Sequence, residues 1–254
     1  MTWASRRRVL YVLGVAAFFG IFIGIPTALF LYEPPTCFDG KQNQEEVAPD
    51  VGGPCPLLDT QAVTAPLIMW SRAFIVRDGI YNAVAYIENP NEDAGVLRAP
   101  YHFKLYDEAG ILVAERTNVA SIAPASITPI FEGNIETGFR PAAHAFFEFT
   151  GPLTWERLRN VAKDIDIKNT AVTSLDGSPR VSASVINTSV APVRELIIMA
   201  VVFDPAGNAF AASHTAVARL EGGTQEDVVL SWPKPFHAQV GRVDVLPLLE
   251  PERI

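Results

Sequence analysis

The stretch YHFKLYDEAG, Tyr101 to Gly110, alternates apolar and polar side chains and ends in an acid, a small residue and a glycine. Tyr101, Phe103 and Leu105 fall on one face and His102 and Lys104 on the other, as in a strand with one face on a core and one in water. Asp107 to Gly110 then reads as a turn. Aspartate at its first position can accept from the backbone N–H groups beyond it, and glycine at its fourth can take positive φ and open a bulge. With ILVAERT following at once, the stretch predicts a β-hairpin.

The texture extends in both directions. RAFIV, YNAVAYIEN, HAFFEF, VSASVIN, LIIMAVVFD and AFAASHTAVARL are short runs in which Val, Ile, Phe, Tyr and Thr are frequent, separated by turn residues. Short strands at regular spacing predict an all-β chain of sandwich type rather than a parallel α/β sheet. YNAVAYIENPNEDAG through YHFKLYDEAGILVAERT also returns as RVSASVINTSVAPV through IIMAVVFDPAGNAFAASHT. Asn89 matches Asn187 at an offset of 98, while Asp107 matches Asp204 and Gly110 matches Gly207 at 97. That period is too long for a solenoid and suits two tandem immunoglobulin-like β-sandwiches. In this reading Asp107, Gly110, Asp204 and Gly207 are paired hairpin-turn residues, with Pro205 at the second position of its turn. Two matched carboxylates could also suggest metal sites, but turn chemistry accounts for them.

FKLYDEAG, Phe103 to Gly110, resembles the signature of FxLYD domains, extracellular immunoglobulin-like sandwiches. VAYIENPN before it is similar to that family's strand-ending asparagine ahead of a turn. The second copy, VVFDPAGN, departs from the pattern with Val201 at the first aromatic position and Phe203 in place of tyrosine. The resemblance covers about 150 residues. It implies a fold and a surface location, and no catalytic residues.

The domain expectations are a cytoplasmic basic stub at 1–8, a transmembrane signal anchor at 9–32, a stalk at 33–63 and two sandwiches at 64–159 and 160–254. LTWERLRNVAKD, Leu153 to Asp164, is read as a short helix or extended connector. Val9 to Tyr32 is a 24-residue run without a charge, longer than the roughly 20 residues that span a hydrocarbon core. Arg6, Arg7 and Arg8 precede it and favour the cytoplasmic side for the N-terminus, leaving the bulk of the chain outside the cell membrane. A cleaved signal peptide fits less well: the apolar run is long and LFLY offers no A-x-A site. Gly14, Gly20 and Gly24 could pack against a partner helix.

CFDGKQNQEEVAPDVGGPC, Cys37 to Cys55, holds both cysteines of the chain. An extracytoplasmic stalk permits their oxidation, and 17 intervening residues exclude a C-x-x-C redox motif. Asp39, Asn43, Glu46 and Asp50 supply oxygens that a calcium ion could use, although their order is not that of an EF-hand loop. The segment resembles C-x-D-G-x-x-N-x-x-E followed by D-C-G-G-x-C, a motif of bacterial surface proteins, with Val51 replacing the middle cysteine. That loss makes Cys37–Cys55 the natural pairing. A stapled stalk is the leading reading and weak calcium binding the alternative.

Little else resembles chemistry. His102, His144, His214 and His237 are isolated, and no G-x-S-x-G elbow, phosphate loop or dinucleotide fingerprint occurs. Net charge is −8, with no basic stripe for nucleic acid. Asn187-Thr188-Ser189 satisfies the glycosylation sequon, and no glycan is assigned to it. The expectation is a single-pass, non-enzymatic envelope scaffold, adhesion or assembly module without cofactor, whose partners are the membrane and other envelope proteins. The alternative is a glycan- or peptide-binding module anchored by aromatics such as Trp70 or Trp232.

Overall fold

The computed structural model describes residues 3–31 and 36–254. Residues 32–35, where the expected anchor meets the expected stalk, lie outside the described residues. Helix α1 (Trp3–Phe19) leads through a π-helical segment, Gly20–Gly24, into α2 (Ile25–Leu31). The π segment has a local cause. Pro26 has no N–H to donate and its ring crowds the preceding turn. The wider turn, in which the Ile25 N–H reaches the Gly20 carbonyl, shifts the hydrogen-bond register just ahead of the proline. Within these helices Ser5–Thr27 is long and apolar enough to cross a membrane by length and composition, and its most apolar window is not buried against the rest of the chain. Arg6 to Arg8 fall inside α1 rather than in a separate stub, and the Arg7 guanidinium lies 4.2 Å from the Trp3 ring centroid.

The remainder is an all-β body. Its strands are β1 (Leu67–Arg77), β2 (Ile80–Asn89), β3 (Ala94–Tyr106), β4 (Leu112–Ile122), β5 (Ser126–Glu136), β6 (His144–Phe149), β7 (Glu156–Arg159), β8 (Ile165–Thr173), β9 (Arg180–Asn187), β10 (Val193–Phe203), β11 (Ala209–Leu220), β12 (Gln225–Ser231), β13 (Arg242–Leu248) and β14 (Glu252–Arg253). All pairings are antiparallel. In the N-terminal half β1-β2-β5 faces β4-β3-β6, and in the C-terminal half β8-β9-β12 faces β11-β10-β13. The two halves thus share one strand order. Each encloses its own core: Ile87, Phe103, Leu105 and Ile135 in the first, Val185, Leu196, Ile198 and Leu230 in the second, all with 1% exposure or less.

A third apolar cluster joins the halves. Phe74, Val84 and Tyr86 on the outer face of the first half meet Met199, Val201 and Phe203 on the outer face of the second. Trp70 stacks on Tyr86 at 4.3 Å and meets the Phe203 ring edge-on at 6.2 Å. The body is therefore a stack of four sheets. This explains two strands that alternation alone does not: YNAVAYIEN and LIIMAVVF are apolar nearly throughout because β2 and β10 are covered on both faces. Polar contacts flank the cluster, with Arg72 donating to the Ala209 carbonyl and Asn208 Oδ1, both at 3.0 Å. The C-terminus closes the arrangement. β14 pairs with β7, and Arg253 forms an ion pair with Glu156 at 2.6 Å.

The connector expected from Leu153 to Asp164 is mainly extended. It consists of β7 and a 3-10 turn, Val161–Asp164, which Asn160 caps by accepting from the Ala162 N–H. The stretch assigned to the stalk is folded from Thr36 onward, and its later part lies against the first sandwich. The Leu58 N–H donates to the Trp155 carbonyl, the Arg157 N–H to Pro56, and the Thr64 N–H to Asn91 Oδ1.

Candidate functional site

Three places could carry function: the cysteine loop, the clefts beside the junction between sandwiches, and the free strand edges. In the loop, Cys37 and Cys55 are joined as a disulfide, with Cα atoms 5.3 Å apart. The carboxylates of the motif turn inward onto the loop's own backbone. Asp39 accepts from the Lys41 and Thr36 N–H groups, Asp50 from those of Asp39 and Gly40, and Glu46 Oε2 from those of Asn43 and Asp50. The backbone donors, Lys41 N–H foremost, hold the Asp39 carboxyl below its ordinary value. Gly53 has a physical reason: at φ +54, a Cβ there would lie 2.7 Å from the Gln44 carbonyl oxygen. Glu46 Oε1 lies 3.0 Å from Cys55 Sγ, but an oxidised sulfur carries no proton and is no thiolate, so Cys37, Glu46 and Cys55 do not make a ligand set while the disulfide stands. A calcium ion at Asp39, Asn43, Glu46 and Asp50 would have to displace the backbone N–H groups those carboxylates hold.

The paired motif residues do matched structural work. Asp107 and Asp204 each accept through Oδ1 from the N–H four residues on, at 2.8 Å, and their carbonyls accept from Gly110 and Gly207 at 3.0 Å. Both glycines have positive φ, +75 and +85. Asn89 and Asn187 are buried and form matched corner staples. Each amide donates to two carbonyls, Ala94 and Ala123 in one case and Ala191 and Leu220 in the other. Asn187 is 0% exposed, so its sequon is inaccessible in the folded chain.

The histidines do not converge. His102 lies between Glu115 and Glu148 on the outer face of β3. His214 points away from its own sandwich and packs edge-on against Phe131 of the other at 4.7 Å, where burial lowers its pKa. Trp70 belongs to the junction. Trp232 packs against Phe236 at 5.1 Å and against the second core. Neither is a free anchor for a glycan.

Two clefts flank β4. The inner one, about 650 Å³, lies between β4, β5 and the second sandwich. Ile127, Ile130, Phe131, Ile197 and Leu248 make it mainly apolar. Phe131, Met199 and Leu248 line it and also belong to the apolar cluster of the junction. Glu132 sits on the β5 side and accepts from the Tyr101 hydroxyl at 2.6 Å and the Asn118 amide at 3.0 Å. Burial and this bond raise the tyrosine's pKa, so it stays a donor. The outer cleft, about 680 Å³, is polar, with Arg98, Thr154, Glu156, Glu250 and Arg253. Asn118, Val119, Ala120 and Ser121 line both clefts. A third cleft, about 740 Å³, lies across the junction and brings His144 of one sandwich to the same wall system as Asp204 and His237 of the other. Among the described residues the only gathered set of metal-ligating side chains is the disulfide-bound one already described.

No family model matches the sequence, and no curated protein matches it. Among solved structures the chain aligns with a β-glucuronidase of Bacteroides uniformis at 14% identity and a TM-score of 0.20, over 69% of this chain and 22% of that one. The chain thus spans about a fifth of that protein, and the likeness bears no functional weight.

Proposed function

We propose that this chain is a single-pass, membrane-anchored extracytoplasmic protein whose two immunoglobulin-like sandwiches serve as a non-enzymatic scaffold or assembly module for other envelope proteins. The observation that carries the reading is the apolar Ser5–Thr27 helix, unburied by the rest of the chain, joined through a disulfide-closed loop to a rigid β body. An exposed helix of that composition needs a hydrocarbon environment, and a disulfide persists in an oxidising compartment. The shared strand order of the halves supports a tandem duplication, and the resemblance of FKLYDEAG to the FxLYD signature supports a surface role.

The four-layer junction also bears on the role. Sandwiches joined only by a linker would bend freely, whereas a shared apolar cluster and the β14–β7 pairing make these two one unit. Such a unit presents its edges and loops in a fixed arrangement to partners. In-cell crosslinking of the full chain, followed by mass spectrometry, tests the role. Enrichment of specific envelope proteins is expected, and a profile equal to that of an unrelated anchored sandwich would overturn it.

A further inference from the structure

β4 presents a free edge of the first sandwich. Among the described residues β4 is the last strand of its sheet and pairs only with β3. The register shows which of its backbone groups are free. Pro100 lies opposite Val119, has no N–H, and spends its carbonyl on Thr150 on the far side of β3. Pro100 and Val119 are therefore a non-hydrogen-bonded pair, and the Val119 N–H and C=O point away from the sheet. By the same alternation those of Thr117 point away too. The outward Val119 N–H is held by its neighbour's side chain, Asn118 Oδ1, at 2.9 Å, a local stand-in for a strand partner. Of the other edges of the first sandwich, β5 carries Pro129, which blunts pairing, while β1 and β6 run beside each other, the Ser71 hydroxyl donating to the Ala145 carbonyl. β4 has no proline, and its charges, Glu115 and Arg116, stand before the free stretch from Thr117 to Ile122.

An added strand would lay alternate side chains on opposite faces. Residues beside Asn118 and Ala120 would enter the inner apolar cleft. Residues beside Thr117 and Val119 would enter the outer polar cleft, where Glu250 and Arg98 form no ion pair with any described residue. The two clefts share the same four β4 residues, so both faces of an incoming strand find a receiving surface. The inner cleft also continues the apolar rows through which the sandwiches bind one another, a surface already suited to β-strand side chains.

From this we infer that β4 binds an extended segment of another protein by strand addition. The segment alternates apolar residues, which face the inner cleft, with polar or basic residues, which face the outer one. The inference rests on the reading of the chain as a module that binds proteins, and it names the site.

The probe is a fluorescent nonapeptide alternating valine with lysine or threonine, added to the full chain in nanodiscs and followed by anisotropy and hydrogen exchange. Saturable binding is expected, with slowed exchange in 112–122. The same peptide N-methylated on the residues that face β4 should bind at least tenfold more weakly, and so should the wild-type peptide to Val119→Pro. A composition-matched peptide without alternation should not compete. Failure of the peptide to bind, equal binding of the N-methylated peptide, displacement by a fatty acid, or self-association of the chain through β4 would each overturn the inference. The N-methylated arm leaves the protein unaltered, so misfolding of the proline variant cannot mimic success. If crosslinking in cells enriches the same partners for wild type and Val119→Pro, the scaffold reading stands while the edge assignment falls.

Discussion

Replacing Asn187 by aspartate changes one atom and should destabilise the chain in a pH-dependent way. The Asn187 amide donates to the Ala191 carbonyl at 2.8 Å and to the Leu220 carbonyl at 3.2 Å, while its Oδ1 accepts from the Ser189 N–H and hydroxyl. Aspartate keeps the acceptor but turns the donor into a second oxygen facing two buried carbonyls. Each carbonyl left unpaired costs about 1–3 kcal/mol, so the loss at neutral pH should be about 4 kcal/mol. For a chain of this size that is a fall of roughly 8–16 °C in Tm. Protonated aspartic acid can donate once, so the variant's carboxyl titrates above its unfolded value of about 3.9. A raised folded-state value means that this stabilisation is fully present below pH 3.9 and is lost as pH rises through the folded value. Calorimetry of Asn187→Asp, Asn187→Ala and the exposed control Asn134→Asp across pH 4 to 8 checks this. Asn89→Asp should repeat the behaviour in the first sandwich. A loss below 1 kcal/mol for both Asn187 variants, or an Asn187→Asp deficit that does not grow with pH, would refute the staple.

Other consequences concern the junction and the loop. Trp70→Ala removes the ring that bridges Tyr86 and Phe203 and should cost about 2–3 kcal/mol for a half-buried aromatic, splitting one thermal transition into two as the sandwiches uncouple. Burial against Phe131 lowers the pKa of His214, so its contribution is full above the ordinary histidine value of about 6.5 and lost as pH falls through the folded value. His214→Phe should flatten the acid limb of the stability curve, and an unchanged limb would overturn the assignment to His214. Opening Cys37–Cys55 releases a loop with a sequence separation of 18, worth about 3 kcal/mol in the chain-entropy view. The ring holds no residue of either core, so its stabilisation is local, and reduction should speed proteolysis between 38 and 54 while leaving the Tm of the β body nearly unchanged.

Much of the fold was legible because its periodicities are local. Alternation in YHFKLYD matches the burial of Tyr101, Phe103 and Leu105, and the D-x-A-G turns show in four residues each. Asn89 and Asn187 could be matched as repeats, but their role as staples depends on carbonyls up to 34 residues away. The sandwich–sandwich junction was least legible. Trp70 looked like a free aromatic anchor and His214 like an outward strand residue, since a single strand shows which face is apolar but not what covers the second face. The near-continuous apolar runs in β2 and β10 were the available signal. The cysteine loop's acids suggested an ion, and their actual partners are backbone N–H groups whose directions follow from positive φ at Gly40, Gln44, Glu45 and Asp50, which no composition rule reveals. The β4 edge depended on register, and register became readable only through Pro100.

In the proposed arrangement the β body stands outside the membrane, held by an uncleaved helix and the closed loop. Limited trypsin treatment of intact cells tests it directly. Lys41 lies in the exposed part of the loop, within the ring closed by Cys37–Cys55, so cleavage there should leave the body attached through the disulfide. Release of a fragment beginning at Gln42 is expected only when trypsin is followed by a membrane-impermeant reductant. Protection of the chain from trypsin, or its appearance in the medium without any protease, would contradict it.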